Sequence, residues 1–206
     1  MSKMIIHTMI IPMLLLNVLP CSAQKVALEL HNLILDSSTL QFDFTVTNNT
    51  AKAIWVCEDM DDKSKIDYQV KTDENRRKVE IKFGNFIVPG HIYLEEPIWA
   101  RFRKLPPKGS LSGNVRLKVP LHNVNPIKQE EESSNIRIGY VNDLTLQICV
   151  YEVDLEKLKT SCCRGDSDSQ KAFVNCFWAE KNKGRIIKKE VRNLKIPIIA
   201  EETSRQ

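Results

Sequence analysis

The chain has 206 residues, of which 42% are hydrophobic and 27% charged, with only 7 Gly and 9 Pro. That composition excludes collagen-like, low-complexity and wholly disordered chains, and the length suits one domain or two small ones. The formal charge of +4 is too mild to imply a nucleic-acid partner, and 6 cysteines are too few for a scaffold held mainly by disulfides.

Met1 to Ala23 has the three parts of a secretory signal. Lys3 supplies a positive start, and Met4 to Leu19 is apolar apart from His7, Thr8 and Asn17. Cys21-Ser22-Ala23 then sets small residues before a cleavage point at Gln24. A membrane-spanning helix needs about 20 apolar residues, and this run is shorter and broken by Pro12. The pattern predicts a signal peptide over 1–23 and export to the periplasm or the cell exterior. The alternative is a lipid anchor at Cys21, for which Val18-Leu19-Pro20-Cys21 is a loose fit. No transmembrane segment is expected after cleavage.

The body reads as strands. Val26 to Leu35 is rich in β-compatible aliphatics, and Asp36-Ser37-Ser38 is a turn signal. Leu40, Phe42, Phe44 and Val46 then alternate with Gln41, Asp43, Thr45 and Thr47, the cleanest period of two in the chain. Asn48-Asn49-Thr50 is a turn, and also a formal glycosylation sequon. A strand resumes at Ala53 to Cys57, so a three-strand antiparallel meander is expected. Val79 to Phe83, Ile98 to Phe102 and Val115 to Val119 follow, with Pro106-Pro107-Lys108-Gly109 as a loop. Lys128 to Ser134 is a polar loop. Ile136 to Val141 and Leu144 to Val153 read as a hairpin about Asn142-Asp143. Asp154 to Lys159 would make a turn or two of helix with Asp154 as its cap. Ala172 to Trp178 and Leu194 to Ile199 complete the set.

Many short strands with turn residues between them argue for an all-β fold, an antiparallel β-sandwich. The stretch FDFTVTNNTAKAIWV resembles the edge of many secreted immunoglobulin-like domains, where a strand ending in V-x-N-x-[ST] leads through a turn into a second strand. The resemblance covers this short stretch alone. It supports an immunoglobulin-like fold. The expected organisation is a β-sandwich domain over 24–200, with a cysteine-containing hairpin extension at 160–200 and a disordered tail at 201–206. The resemblance implies no activity, because such sandwiches host unrelated functions.

After cleavage Cys57, Cys149, Cys162, Cys163 and Cys176 remain, and an exported chain favours disulfides. Adjacent Cys162 and Cys163 are too close to bond to each other. The expected arrangement ties Cys176 to one of them and pairs the other with Cys57 or Cys149. Zinc would need C-x₂₋₄-C spacing, which is absent.

Three surface features point outward. Arg164-Gly165-Asp166 resembles the adhesion tripeptide of integrin ligands and is equally a good turn. Asp59, Asp61 and Asp62, beside Glu58, would suit a hard cation such as Ca²⁺, although EF-hand spacing is lacking. Lys181, Lys183, Arg185, Lys188, Lys189, Arg192 and Lys195 form a basic run, and Arg101-Phe102-Arg103-Lys104 a second. On one face they would attract anionic polymers or membranes; on a hairpin they would be ordinary edge charges. Trp55, Trp99 and Trp178 fall in predicted strands, where packing is the default. No nucleophile elbow, zinc-protease or phosphate-loop motif occurs, and His31, His91 and His122 are isolated. The expectation is a non-catalytic, cofactor-free protein with a binding or structural role, its partner a protein or an envelope component. Adhesion through Arg164 is one alternative. A hydrolase that joins His91 or His122 to a carboxylate only in three dimensions is another.

Overall fold

Alternation of apolar and polar residues becomes strand after strand. The computed structural model of the chain describes residues 24–61, 68–84, 99–124, 136–153, 155, 163–165, 170–175 and 184–201. The leader 1–23, the loop at 128–134, nearly all of the helical turn expected at 154–159, and residues 202–206 of the tail expected at 201–206 lie outside them, while Glu201 ends the last strand. The described strands are β1 (Val26–Leu35), β2 (Thr39–Asn48), β3 (Ile54–Asp61), β4 (Gln69–Asp73), β5 (Lys78–Phe83), β6 (Trp99–Leu105), β7 (Ser110–Lys118), β8 (Ile136–Val141), β9 (Asp143–Tyr151), β10 (Cys163–Gly165), β11 (Lys171–Asn175), β12 (Arg185–Val191) and β13 (Ile196–Glu201). No α-helix occurs among the described residues, and the fold is all-β.

The first hairpin forms as its sequence dictates. Asp36 Oδ1 accepts hydrogen bonds from Ser38 N at 2.7 Å, Ser38 Oγ at 2.9 Å and Thr39 N at 2.8 Å, which folds β1 back onto β2. Those bonds, the Ser38 amide foremost, hold the Asp36 carboxyl below its ordinary pKa.

The expected meander stops there. β2 pairs with β1 and β7, which gives a three-stranded sheet in the order β1-β2-β7. β3 crosses instead to a second, eight-stranded sheet, β10-β11-β6-β3-β9-β5-β4, in which β12 also pairs with β9. The crossing is fixed by Asn48, whose side chain ties the turn to Lys52, Leu105 and Pro106 rather than letting the chain fold back.

The expected hairpin between β8 and β9 does not form either. β8 pairs with β13, and β9 pairs with β12. The two strand pairs make one long antiparallel ribbon that changes sheets at Asn142. There the amides of Asn142 and Asp143 donate to the Arg77 carbonyl at 2.8 and 3.1 Å, and Leu194 N donates to Asn142 O at 2.9 Å. Asn142 is a corner, not a turn. Among the described residues all strand pairs are antiparallel except β5 with β9, which run parallel.

The layers pack face to face in a sandwich-like arrangement. On β9, Leu144, Leu146, Ile148 and Val150 share one face, because side chains alternate along a strand. Phe83 sits beside Ile148 in register, and its ring lies 5.4 Å from that of Phe44 on β2. Leu40, Phe42, Phe44 and Val46, the predicted inward set, are all buried in this layer. The opposite face of β4, β5 and β9 is polar: Gln69, Lys82 and Gln147 lie side by side in register, with Glu80 next to Thr145. Burial raises the Glu80 carboxyl, but hydrogen bonds from Lys78 and Lys82 outweigh it and leave a lowered pKa.

Candidate functional site

β7 ends one of the two sheets and β4 ends the other. Among the described strands β7 pairs only with β2, and β4 only with β5. The chain leaves β7 at Lys118, turns at Val119-Pro120 and crosses between the sheets. Leu121 bridges to Ile198 of β13, and Val124 bridges to Val70 of β4 through two 2.8 Å backbone hydrogen bonds. Tyr68, just ahead of β4, stacks obliquely on Phe83 with 5.3 Å between ring centroids. Its hydroxyl donates to the Arg116 carbonyl at 3.4 Å.

These segments enclose a cleft of about 370 Å³, lined by Tyr68, Val70, Arg116, Leu117, Lys118, Leu121, His122 and Val124. The size lies within the usual range for small-molecule sites. Val70 and Leu121 are buried and form the floor, while Arg116, Lys118 and His122 are exposed at the rim. No acidic side chain lines it. An apolar floor under a cationic rim suits a ligand with an anionic head and an apolar body. A histidine is present, but the lining contains no carboxylate to orient it and no serine or cysteine to activate.

None of the residues singled out from sequence lines this cleft except His122. Arg164 and Gly165 belong to β10, where their backbones pair with Phe173 and Ala172 of β11; Asp166 lies outside the described residues. Asp59 on β3 is ion-paired with Arg101 of β6, and Glu58 with Arg103, so the acidic run is partly neutralised by the second basic run. Asp62 is outside the described residues, as is the side chain of Asp61. Among the described residues no group of three or more ligating side chains is placed to hold a metal.

The C-terminal basic run is split. Lys188 and Lys189 project from opposite faces of β12. Arg185 pairs with Glu152 at 3.3 Å, and Arg192 with Glu190 at 2.8 Å. Lys181 and Lys183 lie outside the described residues, as do His91 and Trp178. Trp55 is buried with Lys104 Nζ 5.4 Å from its ring centroid, a packing role. No disulfide forms among the described residues. Cys57 and Cys149 are buried, and Cys162 and Cys176 fall outside the described set.

Sequence reasoning missed the cleft because its walls come from three separated segments, 68–70, 116–118 and 121–124. The nearest signal was the cluster Arg116, Lys118 and His122 around Pro120. Comparison with protein families, with curated proteins and with solved structures finds no match to this chain.

Proposed function

We propose that the chain is an exported, non-catalytic immunoglobulin-like β-sandwich that binds an anionic amphiphile of the cell envelope in the cleft beside Tyr68. The observation that carries the binding reading is the cleft itself, with Val70, Leu121 and Val124 beneath and Arg116, Lys118 and His122 around the mouth. A carboxylate or phosphate head would meet the two strong cations, and the apolar tail would enter between the sheets. Export rests on the leader pattern of Lys3, the apolar run and Cys21-Ser22-Ala23. The immunoglobulin-like assignment rests on the two packed layers and on the strand–turn–strand at FDFTVTNNTAKAIWV.

Calorimetric titration with laurate, a simple anionic amphiphile, tests the cleft. Binding is expected, and the double substitution Arg116→Glu with Lys118→Glu should weaken it about a hundredfold, at roughly 1.4 kcal/mol for each tenfold step. Equal binding by the double variant, or none by the wild type, removes the reading. Export is checked separately by the intact mass of the protein recovered from outside the cytoplasm. A chain beginning at Gln24 is expected. Retention of residues 1–23 refutes cleavage, and a lipid on Cys21 makes the protein membrane-anchored.

A further inference from the structure

β3 and β9 pair antiparallel at Trp55 with Tyr151 and at Val56 with Val150. The ladder ends there, and the next residue along each strand is Cys57 and Cys149. Each cysteine lies two residues from the Trp55–Tyr151 pair, so both project to the face that carries it, and cross-strand neighbours on one face fall within reach of the roughly 4.4–6.8 Å α-carbon span of a disulfide. Both cysteines are about 1% exposed. Both also border one small space: a β-carbon on Gly84 would lie 2.7 Å from Cys57 Cβ and 3.3 Å from Cys149 Cβ. Cys163 is a poor partner for either. It lies on β10, three strand places from β3 in the order β10-β11-β6-β3, and neighbouring strands are about 4.8 Å apart.

We propose that Cys57 and Cys149 are a redox pair, joined during folding in an oxidising compartment as a cross-strand disulfide between β3 and β9. The partner oxidant is a small-molecule or protein disulfide. One cysteine thiolate attacks it, releasing one thiol and leaving a mixed disulfide. The second cysteine then displaces the other half, so the Cys57–Cys149 bond forms, the donor's S–S bond breaks, and two donor thiols take up the two protons and two electrons. Folding is the time for this exchange. In the folded protein burial pushes the Cys149 thiol up to about 12, against smaller opposing hydrogen bonds from Tyr151 and from the Gly184 backbone. A thiol so protonated is a poor nucleophile. Closure in the cell rests on the export reading, whereas the chemistry can be tested on the purified chain alone.

The test is to reduce and unfold the full chain and refold it in glutathione and glutathione disulfide. Remaining thiols are then alkylated and the product is mapped after trypsin. Cleavage at Lys and Arg puts Cys57 on peptide 53–63, Cys149 on 138–157, Cys162 and Cys163 on 160–164, Cys176 on 172–181, and Cys21, where the leader is present, on 4–25. Peptide 53–63 should be found joined to 138–157 in most molecules. Attachment of either to 4–25, 160–164 or 172–181, or recovery of both in alkylated form, overturns the proposal. Oxidation in guanidinium chloride should give mixed linkages, and the same single linkage there would show that strand register does not select the pair. Retention of the leader in the cell would remove the oxidising setting and leave this map unchanged.

Discussion

Replacing Asn48 with alanine is expected to destabilise the fold by about 3 kcal/mol and lower its thermal midpoint by roughly 10 °C. Asn48 is fully buried at the end of β2. Its Nδ2 donates to the carbonyls of Lys52 at 2.8 Å and of Leu105 and Pro106 at 3.1 Å. Its Oδ1 accepts from Thr50 N at 3.0 Å and Thr50 Oγ1 at 2.7 Å. The truncation removes the side-chain donor to the Lys52, Leu105 and Pro106 carbonyls and the acceptor for Thr50, at a buried site that water does not readily refill. It also frees the turn that carries the chain from one sheet to the other. Each such hydrogen bond contributes about 0.5–1.5 kcal/mol net, and the lost turn adds to the sum. Chemical denaturation followed by tryptophan fluorescence measures the change.

Asn48→Asp separates the two halves of the amide. Aspartate keeps the acceptor for Thr50 but turns a carboxylate oxygen toward three carbonyls. Its folded pKa should rise above the unfolded value, so its charged form destabilises the fold above the unfolded pKa. That penalty should disappear as pH falls below it. A variant as stable as the wild type at neutral pH would refute this role for the amide. The same geometry bears on the sequon: an amide with no exposure and three hydrogen bonds has no room for a glycan in the folded protein.

What the sequence made legible was local. β1, β2 and β5 lie where alternation placed them, because one face of each is buried and a period of two then records which. β4 went unread because Gln69–Asp73 turns only Val70 into the core and is short and polar elsewhere. Pairing was the larger gap. The Asn142-Asp143 dipeptide looks like a turn, and only the long-range bonds to Arg77 and Leu194 make it a corner. The cleft and the Cys57–Cys149 apposition have the same origin. Each depends on register between strands far apart in the chain, and no local pattern encodes that.

Gly84→Ala should cost about 3–4 kcal/mol, comparable to Asn48→Ala, through strain added to overpacking. β12 runs along one side of β9, so β5 and β3, which pair with successive parts of β9, share its other side end to end, and Gly84 follows the last residue of β5. Its φ is +71°, in the left-handed region. A β-carbon there would lie 2.6 Å from Cys57 Sγ and 2.7 Å from Cys57 Cβ. The thiol can rotate away, but the β-carbon is fixed to the β3 backbone, so the end of β5 must move off β3. Left-handed alanine alone costs about 1–2 kcal/mol, and overpacking of a filled core about 1–3 kcal/mol more. Asparagine tolerates the left-handed region far better than alanine does. If backbone strain were the whole effect, Gly84→Asn would be nearly neutral. With packing against Cys57 as the larger part, Gly84→Asn should destabilise at least as much as Gly84→Ala. Equilibrium unfolding of both variants under reducing conditions decides between them, and a near-native Gly84→Asn would disprove the close approach of the β5 end to Cys57.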